Sequence, residues 1–447
     1  MATALIILGA GMGTRMNSDL PKVLHQIAGA PMLVHAMKSG AALEPARTVI
    51  VAGHGADLVE KAARAFDPDV TMALQSEQLG TAHAVAQAKD ALVDFEGDAL
   101  VLYGDTPFIR PETLAAMTAA RLTHDIVVLG FEAADPGRYG RLILKDDQLD
   151  RIVEFKDSSD EERSLSLCNS GVIAAESSTL FSLIDAVDND NTAGEYYLTD
   201  IIGIARARGL TATVVRCDET ETLGINSRAE LASAEALFQA KARQASQEDG
   251  VNLTAPETVF FAHDTVIGRD TVVEPNVVFG PNVTIESGTI IRAFSHLEGC
   301  HVSKGAVVGP YARLRPGAEL AENVKVGNFV EIKNAQVAAG AKVNHLSYIG
   351  DATIGARSNI GAGTITCNYD GVFKHHTTIG EDAFIGSNTM LVAPVTVGNA
   401  AMTGSGSVVT RNVPAGDLAV ARAKQENKTG FAVRLFEKLR ARKQKGS

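Results

Sequence analysis

From residue 267 onward apolar residues recur at every sixth position, and this period restricts the possible folds more than any other feature of the chain. Ile267, Val273, Phe279, Ile285, Ile291 and Leu297 form one series, and Val302, Val308, Leu314, Leu320, Val326 and Ile332 form the next. Shorter runs follow: Val337, Val343 and Ile349; Ile354 and Ile360; then Ile379, Ile385, Leu391, Val397 and Val409, with Thr403 in phase. Six matches neither the alternation of a lone strand nor the turn of a helix. It is the signature of a parallel β-helix, in which each hexapeptide makes one flat side, three sides close a triangular coil, and the branched residue points inward. Glycine follows many of these positions, at 268, 280, 309, 327, 350, 355, 361, 380, 386 and 398, where the smallest residue lets the chain turn a corner. With coils about 4.8 Å apart, about 150 residues predict a prism of about eight coils. The phase slips after 297, 332 and 349, and residues 366–378 do not repeat. Such interruptions are where loops and sites leave a solenoid wall.

Residues 2–226 have a different texture. Short β-branched runs (ALIIL, TVIVAG, DALVLYGD, DIVVLGF) alternate with helical stretches (PMLVHAMKSGAAL, DLVEKAARAF), which predicts a mainly parallel sheet with helices on both faces. Ligands on such sheets gather at the carboxyl ends of strands. Residues 227–247 lack Pro and Gly and are rich in strong helix formers, so they predict a linker helix with Ser227 as N-cap. The expected organisation is therefore 1–226, a linker helix over 227–247, and a β-helix domain over 248–447. A chain of 447 residues exceeds what one core usually organises.

Hydrophobic residues make up 45% and charged residues 21%, which suits a chain that buries a sizeable core. The net charge of −12 gives no general attraction to nucleic acid or an anionic membrane, so neither is an expected partner and phosphate recognition must be local. Cys168, Cys217, Cys300 and Cys367 show no CxxC spacing and read as free thiols of a reducing compartment. The start MATALIILGAGMGTRM is too short in apolar residues for a signal segment, and no stretch reaches membrane-span length, so a cytoplasmic enzyme is expected. The tail from Lys428 carries seven Lys or Arg against Glu437 and reads as a solvated, partly disordered end.

LGAGMGTRM, beginning at Leu8, Gly9, Ala10 and Gly11, directly follows a strand-like run. Its backbone N–H groups can approach phosphates without Cβ obstruction, and Arg15 and Lys22 can neutralise charge. It is neither a Walker A loop nor a dinucleotide fingerprint. Gln75 and the QLGTAHA segment can read a base. Tyr103-Gly104-Asp105 follows an apolar run, placing a carboxylate at a strand end where a hard cation finds oxygen; Asn226 can supply a second oxygen.

On the repeat, polar residues crowd at the slips: Arg315, Glu331, Lys333, His345, Tyr348, Asn359, Asn368 and Tyr369. An imidazole titrates near neutral pH and can accept a proton from an attacking nucleophile. His345 fits that role, with Glu331 to orient the ring and a backbone N–H near Ala362 to hold an oxyanion. Arg315 and Lys333 suit a phosphate. His375 and His376 lack a third ligand at recognisable spacing and read as loop residues.

LGAGMGTRM, PKVLH, QSEQLGTAHA, YGDTP, RYGRL, IVEFKD, CNSG and GINSR, in that order, resemble the sugar-nucleotidyltransferase domain. ARLRPGAEL, VGNFVEIKNA, VNHLSYIGDATIG and NIGAGTITCNYDG resemble the acetyltransferase motifs that follow it in the bifunctional N-acetylglucosamine-1-phosphate uridylyltransferase/glucosamine-1-phosphate acetyltransferase family, over almost the whole chain. The resemblance implies a Rossmann-like α/β nucleotidyltransferase domain plus a left-handed parallel β-helix, and synthesis of UDP-N-acetylglucosamine from glucosamine 1-phosphate, acetyl-CoA and UTP by way of N-acetylglucosamine 1-phosphate. It implies Mg²⁺ on Asp105 and Asn226, phosphates on Arg15 and Lys22, uracil on Gln75, Gly80 and Thr81, and sugar on Gly140, Glu154 and Asn169. In the second site it implies His345 as base; Arg315, Lys333, Tyr348 and Asn359 for the amino sugar phosphate; and Ala362, Asn368, Tyr369, Ser387, Ser405 and Arg422 for acetyl-CoA, between neighbouring chains of a homotrimer. The chain departs from the family pattern at Met12, usually lysine, and at Ser405, commonly alanine. Two rivals share the architecture: a nucleotidyltransferase with a β-helix used only for assembly or regulation, and a non-enzymatic regulatory subunit. The first predicts no base constellation on the repeat, and the second tolerates loss of Asp105 or Asn226.

Overall fold

Strand Thr3–Gly9 is an interior strand of the main sheet of the first half, buried on both faces, which is why it reads as an unbroken apolar run rather than an alternating one. Ala4, Ile6 and Leu8 pack into one core, and Leu5 and Ile7 into the core on the opposite face. The computed structural model describes residues 2–11, 13–146 and 148–445; Met12 lies outside them. The chain divides into two units, Met1–Ala242 and Arg243–Ser447, and the division falls inside the long helix Arg228–Glu248.

In the first unit the main sheet runs Ala212–Cys217, Ile126–Glu132, Leu167–Glu176, Asp98–Tyr103, Thr3–Gly9, Arg47–Ala52, Thr71–Leu74. All these neighbours pair in parallel except Leu167–Glu176, which is antiparallel to both of its partners. A hairpin of Arg141–Lys145 and Gln148–Val153 joins the antiparallel strand at Cys168 and Arg141. Adjacent strands Thr3–Gly9 and Asp98–Tyr103 align Leu8 with Tyr103, so the glycine loop and Asp105 emerge side by side at the same sheet edge. The expected mainly parallel sheet is observed, with its two apolar cores.

The second unit is the parallel β-helix predicted by the period, left-handed as the resemblance implies. One ladder stacks ten short parallel strands from Asn252–Leu253 to Leu418–Ala419. Val272 pairs with Ile290, Ile290 with Val307, and Val307 with Lys325, steps of 18, 17 and 18 residues, so three six-residue sides make a coil. The 17-residue coils explain the phase slips: Leu297 to Val302, Ile332 to Val337 and Ile349 to Ile354 are five-residue sides. Asn359 pairs with Phe384, a step of 25, because residues 368–376 leave the wall as a loop. The inward residues Ile291, Leu297, Val302, Val308, Leu314 and Ile332 are fully buried; each such side chain contributes about 1.5–3 kcal/mol by removal from water. Corners use the left-handed backbone region, held by Asn276, Asn282, Asn323, Asn334 and Asp351 among others, since short polar side chains tolerate it.

Among the described residues no helix is long and apolar enough to cross a membrane. The basic tail, expected to be partly disordered, forms the helix Phe431–Lys445 with no buried residue. Its strong helix formers, largely free of Gly and Pro, favour that order.

Candidate functional sites

At the sheet edge of the first unit a cavity of about 310 Å³ is lined by residues that include Leu8, Ala10, Gly11, Lys22, Gln75, Gly80, Thr81, Tyr103 and Asp105. Gly104 N donates to Leu8 O at 2.9 Å, tying the two strand ends together. Gly9 has room for only an ordinary contact with Val23, whereas a Cβ on Gly11 meets open space. The latter is the opening through which backbone N–H groups can meet a ligand. Gly80 has φ +117 and its missing Cβ would lie 2.7 Å from Tyr196 N, so a side chain there would have to displace the Tyr196 backbone.

Lys22 pairs with the Asp105 carboxylate, and its Nζ donates to Asn226 Oδ1 at 2.8 Å. Ile225 N donates to Asp105 O at 3.1 Å, which brings the GINSR segment against the strand end. Two oxygens from residues 121 positions apart thus converge on one positive charge, and both are hard donors of the kind Mg²⁺ takes. Among the described residues no group of three or more His, Cys, Asp or Glu could hold a metal, so a cation here would complete its shell from phosphate and water.

Gln75 is buried and donates to Gly80 O at 3.2 Å, with His83 Nδ1 at 3.1 Å. The Tyr103 hydroxyl bonds to Thr81; burial is the largest of the effects that push it well above the ordinary phenol range, with the Asp105 and Glu154 charges adding to it. Thr81 Oγ1 accepts from Leu198 N at 3.0 Å. A neighbouring cavity of about 450 Å³ holds Glu154, with Arg138, Lys156, Glu195 and Tyr197. Burial raises the Glu154 carboxyl, opposed by the Thr199 hydroxyl that donates to it at 3.1 Å. Gly140 lies against Glu154, a Cβ there falling 3.6 Å from its carboxylate oxygens. Asn169 N donates to Gly140 O at 2.9 Å. Gly140, Glu154 and Asn169 are therefore brought together, while Arg15 is exposed on the short turn Thr14–Met16. Glu195 lines both cavities and went unnoticed in the sequence, because residues 189–197 carry no period that would place it.

On the β-helix, register assembles the second site. Leu314 aligns with Ile332 and Lys333 with Gly350, which stacks Arg315 over Lys333 one coil apart. Arg315 Nη1 donates to Glu331 Oε1 at 2.8 Å. Glu331 was expected beside His345, and the structure corrects this. Asn328 aligns with His345, whereas Glu331 aligns with Tyr348; the ring partner is therefore Asn328, whose Oδ1 lies 2.8 Å from Nδ1. Asn328 stands 17 residues before His345, one short coil, a signal available in the repeat once the coil length is known.

Tyr348 folds back over Gly350, where a Cβ would meet its ring Cζ at 2.7 Å and Asn368 Nδ2 at 2.8 Å. Asn359 stacks on Lys342. Ile360, Ile385 and Thr403 align on three successive coils, so Ala362, Ser387 and Ser405, two residues further on, share one column. Asn388 N donates to Ala362 O at 2.7 Å and Gly406 N to Ser387 O at 2.8 Å. Tyr369 is exposed at the inserted loop, with the Lys374 ammonium 4.3 Å from its ring centroid. Arg422 is exposed beyond the last coil. His375 and His376 have separate partners, Asp370 at 2.6 Å and Thr353 at 2.9 Å.

Residues 5–190 match the MobA-like NTP transferase domain family, and residues 264–299 and 376–411 match the bacterial transferase hexapeptide (six repeats) family. Curated relatives share the whole length. Proteins named Bifunctional protein GlmU are 67% identical in Ruegeria sp., covering 99% of each chain, and 69% identical in Ruegeria pomeroyi, covering 99% of this chain and 98% of that one. The Roseobacter denitrificans protein of the same name is 66% identical over 100% of this chain and 99% of its own.

Proposed function

The chain belongs to the bifunctional GlmU family, and from that membership we propose a two-step synthesis of UDP-N-acetylglucosamine. An acetyl group passes from acetyl-CoA to the amine of glucosamine 1-phosphate; the N-acetylglucosamine 1-phosphate formed then takes a uridylyl group from UTP, releasing pyrophosphate. The observation that carries this reading is the presence in one chain of two separate constellations: Asp105 and Asn226 around a single positive charge, and His345 on a wall that also bears Arg315 and Lys333.

In the first unit the loop at Leu8, Gly9, Ala10 and Gly11, with Arg15 and Lys22, receives the UTP phosphates. Gln75, Gly80 and Thr81 receive uracil, and Gly140, Glu154 and Asn169 the sugar. The sugar phosphate oxygen attacks the α-phosphorus in line, and the protein acts mainly by positioning and by offsetting charge. Mg²⁺ held by Asp105 and Asn226 would supply charge neutralisation at the phosphates.

In the second unit His345 takes the amine proton through Nε2 as the nitrogen attacks the thioester carbonyl, and the thiolate of CoA leaves. The Ala362 N–H holds the developing oxyanion. Arg315, Lys333, Tyr348 and Asn359 hold the amino sugar phosphate; Asn368, Tyr369, Ser387, Ser405 and Arg422 hold acetyl-CoA. The enzyme works in the cytoplasm as a homotrimer whose acetyl sites lie between neighbouring β-helices; exposed polar side chains on an otherwise plain wall support that arrangement.

The test supplies glucosamine 1-phosphate, acetyl-CoA, UTP and Mg²⁺ and follows UDP-N-acetylglucosamine by mass. Omitting Mg²⁺ should stop the reaction at N-acetylglucosamine 1-phosphate. No UDP-sugar from the complete mixture overturns the reading.

A further inference from the structure

Asp351 is a buried carboxylate at a β-helix corner, 8% exposed and in the left-handed region at φ +48. None of the steps above uses it. Asn334 Nδ2 donates to its Oδ1 at 2.6 Å, Asn368 Nδ2 donates to its Oδ2, and the Lys333 ammonium lies 4.0 Å from Oδ2. Lys333 and Asn368 are assigned to different substrates, one to the sugar phosphate and the other to acetyl-CoA. The preceding residue, Gly350, leaves the space into which Tyr348 folds beside Asn368.

We propose that Asp351 is a positioning residue that couples the two substrate subsites, holding Lys333 for the acceptor phosphate and Asn368 for acetyl-CoA from one anionic anchor. The inference rests on the acetyltransferase reading of this wall. Register makes the coupling geometric: Lys333 and Gly350 are aligned on successive coils, so the corner at Asp351 sits beside Lys333, and Asn368 follows 17 residues later, one short coil. Burial opposes ionisation of the carboxyl, but the hydrogen bonds from Asn334 and Asn368 and the charges of Lys333 and Lys374 outweigh it and hold the group below the ordinary carboxylate range. The carboxyl is thus held as an anion despite its burial. Backbone support of the left-handed corner by itself would be served equally by asparagine, although its amide offers one accepting oxygen where the carboxylate offers two.

That equivalence supplies the experiment. In the full-length protein Asp351→Asn keeps the backbone of the corner and removes the charge together with one of the two accepting oxygens, and initial rates of CoA release are measured with glucosamine 1-phosphate and acetyl-CoA varied separately. Both KM values should rise, each on the order of tenfold, with a smaller change in kcat and uridylyl transfer unchanged. Asn334→Gly keeps the left-handed corner and deletes only the bond to Oδ1; it should raise the same two KM values by a smaller factor, and it serves as the test if Asp351→Asn fails to fold. A rise in only one KM, or in neither, overturns the coupling. His345→Ala run in parallel separates the two levels: if it retains CoA release, the acetyltransferase reading of the wall fails; if it is inactive while both KM values stay put in the Asp351 variant, the coupling alone fails.

Discussion

Asn328 and His345 occupy the same position on successive coils, and the amide oxygen of the first lies 2.8 Å from Nδ1 of the second. An amide oxygen can only accept, so Nδ1 carries the proton and donates it, which leaves the lone pair on Nε2. The partner therefore selects the tautomer that a general base needs, without placing a second charge beside the ring.

Replacing Asn328 by Ala frees the ring to rotate and to change tautomer, and acetyl transfer should fall by on the order of 10- to 100-fold, mostly in kcat. Asn328→Asp puts a carboxylate at the same distance and favours the imidazolium. The acidic limb of the rate profile should then move to higher pH. An unchanged profile in Asn328→Asp would show that this contact does not govern the base.

The two activities should separate by mutation. Asp105→Ala removes one of the two oxygens around the cation position, and UDP-sugar formation should drop by on the order of 10²-fold or more while CoA release persists. His345→Ala should cost acetyl transfer 10²- to 10⁴-fold, roughly the worth of a general base, and leave uridylyl transfer intact. Loss of both activities in either folded variant would contradict a two-site enzyme.

Gly80→Ala should damage the uridylyl site alone. A Cβ there runs into the Tyr196 backbone at φ +117, and strain of this kind costs on the order of 1–3 kcal/mol. Thermal unfolding should show an earlier transition, and UTP turnover should fall because Gln75 donates to Gly80 O. Normal UTP kinetics would mean that the loop adapts at no cost.

Asp200 should make stability depend on pH. Burial raises its carboxyl to about 6, with Asp188, Glu154 and Asp157 adding repulsion. A carboxyl raised on folding stabilises fully below its unfolded value, 3.8, and that contribution is lost as pH rises through about 6. Asp200→Asn should therefore flatten the fall in unfolding temperature between the two values. Identical slopes in the variant and the parent, measured by calorimetry, would remove Asp200 from the account.

The two folds were legible for different reasons. In the second unit, a residue that faces inward once per side prints its period directly on the sequence, so Ile291, Leu297 and Val308 announced the coil. In the first, Leu5 to Leu8 showed a strand buried on both faces, and Asp105 followed an apolar run closely enough to be placed at its end. Ser227 marked the start of the long helix within a residue. By contrast, Glu195 sits in a stretch without periodicity, and only the packed chain brings it to both cavities.

Glu331 and Asn328 mark the boundary between the two kinds of information. Local backbone geometry repeats along the chain, so composition and spacing alone establish coils, sheet edge, glycine turns and the residue types able to grip phosphate or accept a proton. Which side chains meet depends on register between coils of 17, 18 or 25 residues and on the corner each side chain leaves from. That register puts Asn328 rather than Glu331 on His345, and joins Lys333 to Asn368 through Asp351, because contacts across a solenoid follow the length of the coil and not nearness along the chain.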